Sequence, residues 1–222
     1  MSRREAAKDE RRRRIIGAAR DLLRETGESG LSMRAIAARA GVALTTPYSL
    51  FGSKRAIVIA LLVDVRAFHE RFARLRDAGA IERIFHAVSI SLDYLAEDPD
   101  FYRTLWTEAF RLDNTELRRE LQSPERDEFW LSLLREARDE GAIMHGIALD
   151  QLLHALDAVY VAGMLAWVLG AIRIEELGAR VGYGYALALR GASSASHSAA
   201  LERRLLGFQQ DLRPASRAAM PD

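Results

Sequence analysis

Cysteine is absent from the 222 residues. That rules out a disulfide framework and a thiolate metal site, and it suits a reducing compartment, so the expected location is the cytoplasm. Proline is scarce, at five, and no run of alternating β-branched residues reads as a strand. The longest uncharged apolar stretch, Ala158 to Ile172, is 15 residues. It falls short of the roughly 20 needed to cross a bilayer, and Asp150 and Asp157 precede it closely, so no membrane partner is expected. The opening MSRREAAKDERRRR is basic, but no apolar signal core follows it. A Gly-rich phosphate loop, an H-E-x-x-H helix and a Cys nucleophile are also missing, so no enzyme activity and no cofactor are expected.

Net charge is small too, at +1, and this conceals an asymmetry. Residues 1–55 hold 13 Lys and Arg against 6 Asp and Glu, whereas the remainder holds 19 against 25. A basic end on an acidic body implies that one end meets a polyanion. Half of the chain is apolar, as in an ordinary globular protein with a real core.

The stretch that organises the rest is Ser32 to Lys54, SMRAIAARAGVALTTPYSLFGSK. Ser32 is a good N-cap. Met33, Ile36, Ala37 and Ala40 recur at helical spacing and make one apolar face. Gly41 stands where a left-handed residue ends a helix. A second, short helix carries Leu44, Thr45, Thr46, Tyr48 and Ser49. Two such helices at a steep angle form a helix-turn-helix, whose second helix enters the DNA major groove. Pro47 leaves two readings open: the helix starts at Leu44 and loses an early hydrogen bond, or Thr46 is the cap and Pro47 is the first helical residue.

This stretch resembles the DNA-binding domain of TetR/AcrR-type transcriptional regulators. The matching run begins at Ile15-Ile16-Gly17-Ala18-Ala19-Arg20-Asp21-Leu22-Leu23, passes Gly27 and Gly30-Leu31, and ends near Ile57. Its most specific pieces are Ile36-Ala37-Ala38-Arg39-Ala40-Gly41-Val42 and Tyr48-Ser49-Leu50-Phe51-Gly52-Ser53-Lys54. Ala43 and Pro47 depart from the family pattern, which often has Ser or Thr and Leu or Ile there. The resemblance implies that Arg34, Leu44, Thr45, Thr46 and Ser49 face the groove. It also implies that Tyr48 and Lys54 hold phosphates; a phenol and a cation suit that use, and Ser53 starts a helix whose free N–H groups favour anions.

The rest of the chain reads as helices. Residues 1–9 are expected to be a mobile arm, and a first helix is expected from about Glu10 to Arg24. Ser53 caps a connecting helix to about Arg76. Apolar stripes then mark a fifth helix through Leu95, a segment from Phe101 to Arg111, a short helix at 113–121 and one from Glu125 to Glu140. Two large helices follow at 149–172 and 175–190, then a small polar linker from Gly191 to Ser198 and a short C-terminal helix around Leu201 to Leu212. The fold expected is all-α with about nine to ten helices. Residues 1–52 would form the arm and helix-turn-helix domain, and 53–222 a helical ligand-binding and dimerisation domain.

In the resembled family the last two large helices pair with a second subunit. Here that places Leu152, Leu156, Tyr160, Gly163, Trp167, Gly178, Val181 and Tyr185 at a homodimer interface. Candidate ligand-binding residues are Phe85, Tyr94, Trp106, Phe110, Trp130, His154 and Trp167, since aromatic side chains with a few polar groups suit an apolar cavity. At helical spacing such residues are also ordinary core. His86 with Glu82, and His154 with Asp150, stand one turn apart, but a satisfied or exposed histidine is the usual outcome of that spacing, so no metal site is assigned. The reading is a ligand-responsive regulator, a repressor binding a palindromic operator in double-stranded DNA as a dimer and released by a small hydrophobic or amphipathic effector. The alternative is an all-helical carrier or enzyme with no DNA role.

Overall fold

The computed structural model describes residues 3–26, 30–62, 68, 71–75, 77–110 and 124–212. Among these residues there are ten α-helices and no strand; a single isolated bridge joins Ile143 to Ser193. The helices are α1 (Arg3–Thr26), α2 (Met33–Ala40), α3 (Thr45–Phe51), α4 (Lys54–Leu62), α5 (Ala80–Glu97), α6 (Pro99–Phe110), α7 (Pro124–Asp139), α8 (Leu149–Val168), α9 (Ile174–Ala192) and α10 (Ala195–Asp211). The chain divides into two compact units: Met1–Ala67 with Asp100–Leu121, and Phe68–Pro99 with Gln122–Asp222. Helix α4 and most of α6 belong to the first unit.

In the first unit, α1 packs on α2 and α4. Ile15, Ala18, Ala19, Leu22 and Leu23 are buried along one side of α1 and meet Met33, Ile36, Ala37 and Ala40 of α2, the spacing an amphipathic helix requires. Arg39 forks both guanidinium N–H groups onto Glu25, at 2.9 and 2.7 Å, and ties α2 to the last turn of α1. Those hydrogen bonds, with the charge of Arg39, hold the Glu25 carboxyl below its usual range. Phe101 of α6 is buried, with the guanidinium groups of Arg20 and Arg24 at 5.4 and 5.5 Å from its ring centre.

The first helix begins at Arg3, not near Glu10 as the apolar pattern predicts. Residues 3–14 are rich in Arg, Glu, Ala and Lys, all strong helix formers. They also pair locally, as Arg13 does with Glu10.

In the second unit, α9 is the hub, packing on α5, α8 and α10. Leu156, Met164 and Trp167 of α8 and Leu177, Val181 and Leu189 of α9 are almost fully buried. Gly163 allows this approach: a Cβ there would lie 2.7 Å from Val181 Cγ2 and 3.3 Å from Leu177 Cδ1. Helix α5 has no capping side chain of its own, so Glu140 serves from a distance, accepting the Ala80 N–H on both oxygens at 2.9 and 3.2 Å. The half-buried Arg126 is paired with Asp157 of α8 and with Asp127. Tyr160 and Tyr185 lie beside that pair, and burial pushes both phenols above their usual range. Phe68 and Phe72 stack with centroids 5.9 Å apart, and each meets Phe129 edge-on.

Several predicted boundaries shift. The connecting helix is seen as α4 and, further on, a 3-10 turn at Ala73–Leu75; the expected helix at 113–121 lies outside the described residues. Helix α8 ends at Val168, and Gly170 takes the left-handed conformation in the turn to α9. The expected linker 191–198 shrinks to Ser193 and Ser194. Ser194 replaces helical bonding with partners outside: its N–H donates to Ala142 O at 3.0 Å and its hydroxyl to Gly141 O at 2.7 Å. Helix α8 alone among the described helices is long and apolar enough to cross a membrane by length and composition. It also carries Asp157 in its ion pair and buries Leu156, Met164 and Trp167 against its own chain.

Candidate nucleic-acid interface and a cavity in the second unit

The helix-turn-helix is built by its punctuation. The Ser32 hydroxyl accepts the Ala35 N–H at 3.1 Å and opens α2. Gly41, at φ 63°, closes it; its own N–H donates to Ala38 O and that of Val42 to Ala37 O. The chain then re-enters a helix at Thr45, with Leu44 at the cap position and no side-chain cap bond. Neither sequence reading of Pro47 holds: it is the third helical residue. The first four N–H groups of a helix have no partner within it, so proline forfeits nothing there. Its ring is buried, which turns Leu44, Thr45, Tyr48 and Ser49 outward.

Thr46 is half-buried, while Arg34 is exposed on α2. Gly52, at φ 78°, ends α3 and donates to Tyr48 O at 2.8 Å. Ser53 caps α4, its hydroxyl accepting the Ala56 N–H at 3.1 Å. Arg12 anchors the end of α3 from the other side. Its guanidinium donates to Leu50 O at 2.7 Å and lies 4.2 Å from the centre of the Phe51 ring.

In the first unit Thr45, Tyr48 and Ser49 expose hydroxyls and Leu44 an apolar side chain, Arg34 is an exposed cation, and the N-terminal turn of α4 carries exposed Ser53 and half-buried Lys54. Hydroxyl donors, cations and free helix N–H groups suit phosphate oxygens, and short side chains on an outward helix suit base edges.

The residues predicted to bind a ligand do not gather. Trp106 and Phe110 meet as a tilted ring pair, centroids 5.6 Å apart, in the first unit. Trp130 and Trp167 are buried in the second, His154 is exposed, and Tyr94 carries the Arg71 guanidinium 4.4 Å above its ring. Only Phe85 of that set lines the cavity of about 450 Å³ found in the second unit. This cavity lies between α5, α9 and α10. Sequence reasoning missed it because its walls come from helices a hundred residues apart.

Most residues expected at the dimer interface are covered within the protomer. Leu152, Leu156, Gly163, Trp167, Val181 and Tyr185 are buried by the chain's own helices, Tyr160 is half-buried, and Gly178 borders the cavity. Outward apolar residues in the second unit include Val161 and Leu165 on α8 and Leu169 just past its end, from 39% to 73% exposed, and Leu187 on α9. The apolar run 158–172 gives helix α8 apolar residues on every side, so its period does not tell the inner face from the outer.

Comparison with known proteins gives a family for the first unit and a fold for the whole. Residues 15–61 match the family model described as bacterial regulatory proteins, tetR family. No curated protein matches the chain in sequence. Among solved structures, full-length TylP, a TetR regulator from Streptomyces fradiae, is 20% identical with a TM-score of 0.67, over 98% of this chain and 95% of that one. SmeT, the repressor of the Stenotrophomonas maltophilia multidrug efflux pump SmeDEF, is 21% identical with a TM-score of 0.62, over 84% and 92%. The transcriptional regulator FadR from Bacillus subtilis, in complex with stearoyl-CoA, is 23% identical with a TM-score of 0.60, over 80% and 97%.

Proposed function

From a chain with a TetR-family reading head and the fold of TetR regulators throughout, we propose a dimeric, ligand-responsive repressor of transcription. The observation that carries this is the outward face of α3 with the capped start of α4 beside it. Thr45, Ser49 and Leu44 read base edges with help from Arg34. Tyr48, Lys54 and the first N–H groups of α4 hold phosphates and fix the register.

A single seven-residue helix covers few base pairs, so two heads are required. Val161, Leu165, Leu169 and Leu187 supply the surface that joins two protomers, and the operator is then a near-palindrome. Burying such side chains fully contributes about 1.5–3 kcal/mol each, and those already half-covered contribute about half of that. Among the structurally similar proteins are a repressor and a stearoyl-CoA complex, which supports both repression and an organic effector.

Electrophoretic mobility shifts over a salt series test the phosphate assignment. Lys54→Ala and Tyr48→Phe should weaken binding to all DNA sequences alike, and Lys54→Ala should lower the salt slope by about one unit. A change in operator preference with either variant would overturn the assignment.

A further inference from the structure

The cavity between α5, α9 and α10 is unlike the rest of the second unit in its chemistry. It runs along one stripe of α5 from Glu82 to Asp93, a span of about 16 Å at 1.5 Å per residue. Its sides are apolar, from Phe85 and Leu92 on α5 and Phe208 on α10. The α9 wall is almost bare, because Gly178 and Gly182 stand there. At Gly182 the missing Cβ makes room for Phe208, whose ring would lie within 2.8 Å of it. At Gly178 nothing lies within 4 Å, so the space stays open.

Polar groups line this trough at His86 and Ser89 and at its two charged ends. The His86 Nε2 is buried and has no hydrogen-bond partner among the described residues. A buried ring nitrogen left so is costly, which marks a place where a ligand atom restores the bond. At one end Arg204 is committed twice: it is ion-paired with Glu82 and lies 4.4 Å above the Phe85 ring. At the other end stands the Asp93 carboxylate; nearby Arg71 donates to Glu97 at 2.8 Å. Among the described residues these are three carboxylates and two guanidinium groups, a balance of one negative charge.

We propose that this cavity binds an elongated amphipathic organic monocation: an apolar body between Phe85, Leu92 and Phe208, one polar atom bonded to His86, and an ammonium directed at Asp93. Aromatic rings at the walls also favour a cation, and an anion of the same shape meets repulsion. The assignment deepens the regulator reading by giving its effector a site and a charge. It rests on that reading only for the consequence on DNA, not for the binding itself.

Calorimetric titration of the full chain without DNA tests it, using decylammonium, decanol and decanoate below their aggregation limits. Decylammonium should bind most tightly, decanol more weakly and decanoate least. Gly178→Leu, which fills the open space, should cut decylammonium binding about tenfold or more. Asp93→Asn should cut it about three- to fivefold and leave decanol unchanged, as expected for an exposed charge pair. Retained binding of operator DNA by Gly178→Leu shows that the variant is folded. Equal or tighter binding of decanoate, or undiminished decylammonium binding by folded Gly178→Leu, would overturn the proposal. Failure of DNA binding with these titrations intact would instead overturn the regulator reading and leave the site standing.

Discussion

Two glycines on the paired helices should respond to the same substitution with opposite signs. Gly163 of α8 and Gly178 of α9 both stand inside helices, where alanine is intrinsically favoured by about 0.8–1.0 kcal/mol. At Gly178 nothing opposes that gain, since no atom lies within 4 Å of the new Cβ. Gly178→Ala should therefore stabilise by about 0.5–1 kcal/mol. At Gly163 the new Cβ would sit 2.7 Å from Val181 Cγ2. Val181 and Leu177 are both fully buried, and a β-branched side chain in a helix has essentially one rotamer. Neither neighbour can step aside without moving α9.

Overpacking of this kind costs about 1–3 kcal/mol, which outweighs the propensity gain. The net loss at Gly163 is up to about 2 kcal/mol. For a chain of this size each kcal/mol moves Tm by roughly 2–4 °C. Urea unfolding followed by tryptophan fluorescence, at one fixed protomer concentration, reads both changes. A Gly163→Ala protein as stable as the wild type would refute the α8–α9 packing described here, and a destabilised Gly178→Ala would refute the open space beside α9.

Asp157→Ala removes from the half-buried Arg126 its more buried carboxylate partner and leaves the more exposed Asp127 in place. Removal of one member of a buried pair costs about 3–5 kcal/mol, and the partial exposure of Arg126 lowers that to about 1–3 kcal/mol, measurable by the same unfolding curves. Leu165→Arg changes an outward residue, so it should yield folded monomers with greatly weakened operator binding in sedimentation and mobility-shift assays; an intact dimer would move the interface elsewhere. Tyr185 has its pKa raised from 10.0 in the folded chain, chiefly by burial and next by Asp157 and Tyr160. Its neutral form is favoured on folding, so its contribution is complete below pH 10 and is lost as the unfolded state ionises above that value. Stability of the wild type should fall above pH 10, and less steeply in Tyr185→Phe; equal slopes would show that Tyr185 is not the group responsible.

The reading head was legible because its signals are local. Ser32, Gly41 and Ser53 cap or end helices within a few residues of where they stand, and the structure uses each in that way. The start of α1 was not legible from apolar period, because the residues before Ile15 bury little and are held by helix propensity and local ion pairs. The second unit was harder still. Trp167, Tyr185 and Leu156 are apolar at helical spacing, and such spacing does not tell a side chain inside a protomer from one between two. Distinguishing them required Val181 to be seen against Gly163. The cavity was out of reach for a similar reason: Gly178, His86 and Phe208 become neighbours only after three helices from distant parts of the chain have packed.

The central claim is that α3 of two protomers reads one DNA site. Selection of binding sequences from a random duplex library by the purified full-length chain tests it directly. The expected result is a near-palindrome with two half-sites, bound by two protomers, whose sequence preference changes with Thr45→Ala or Ser49→Ala and is unaltered by Lys54→Ala. Enrichment of no sequence, or of a single unrepeated half-site bound tightly by one protomer, would contradict it.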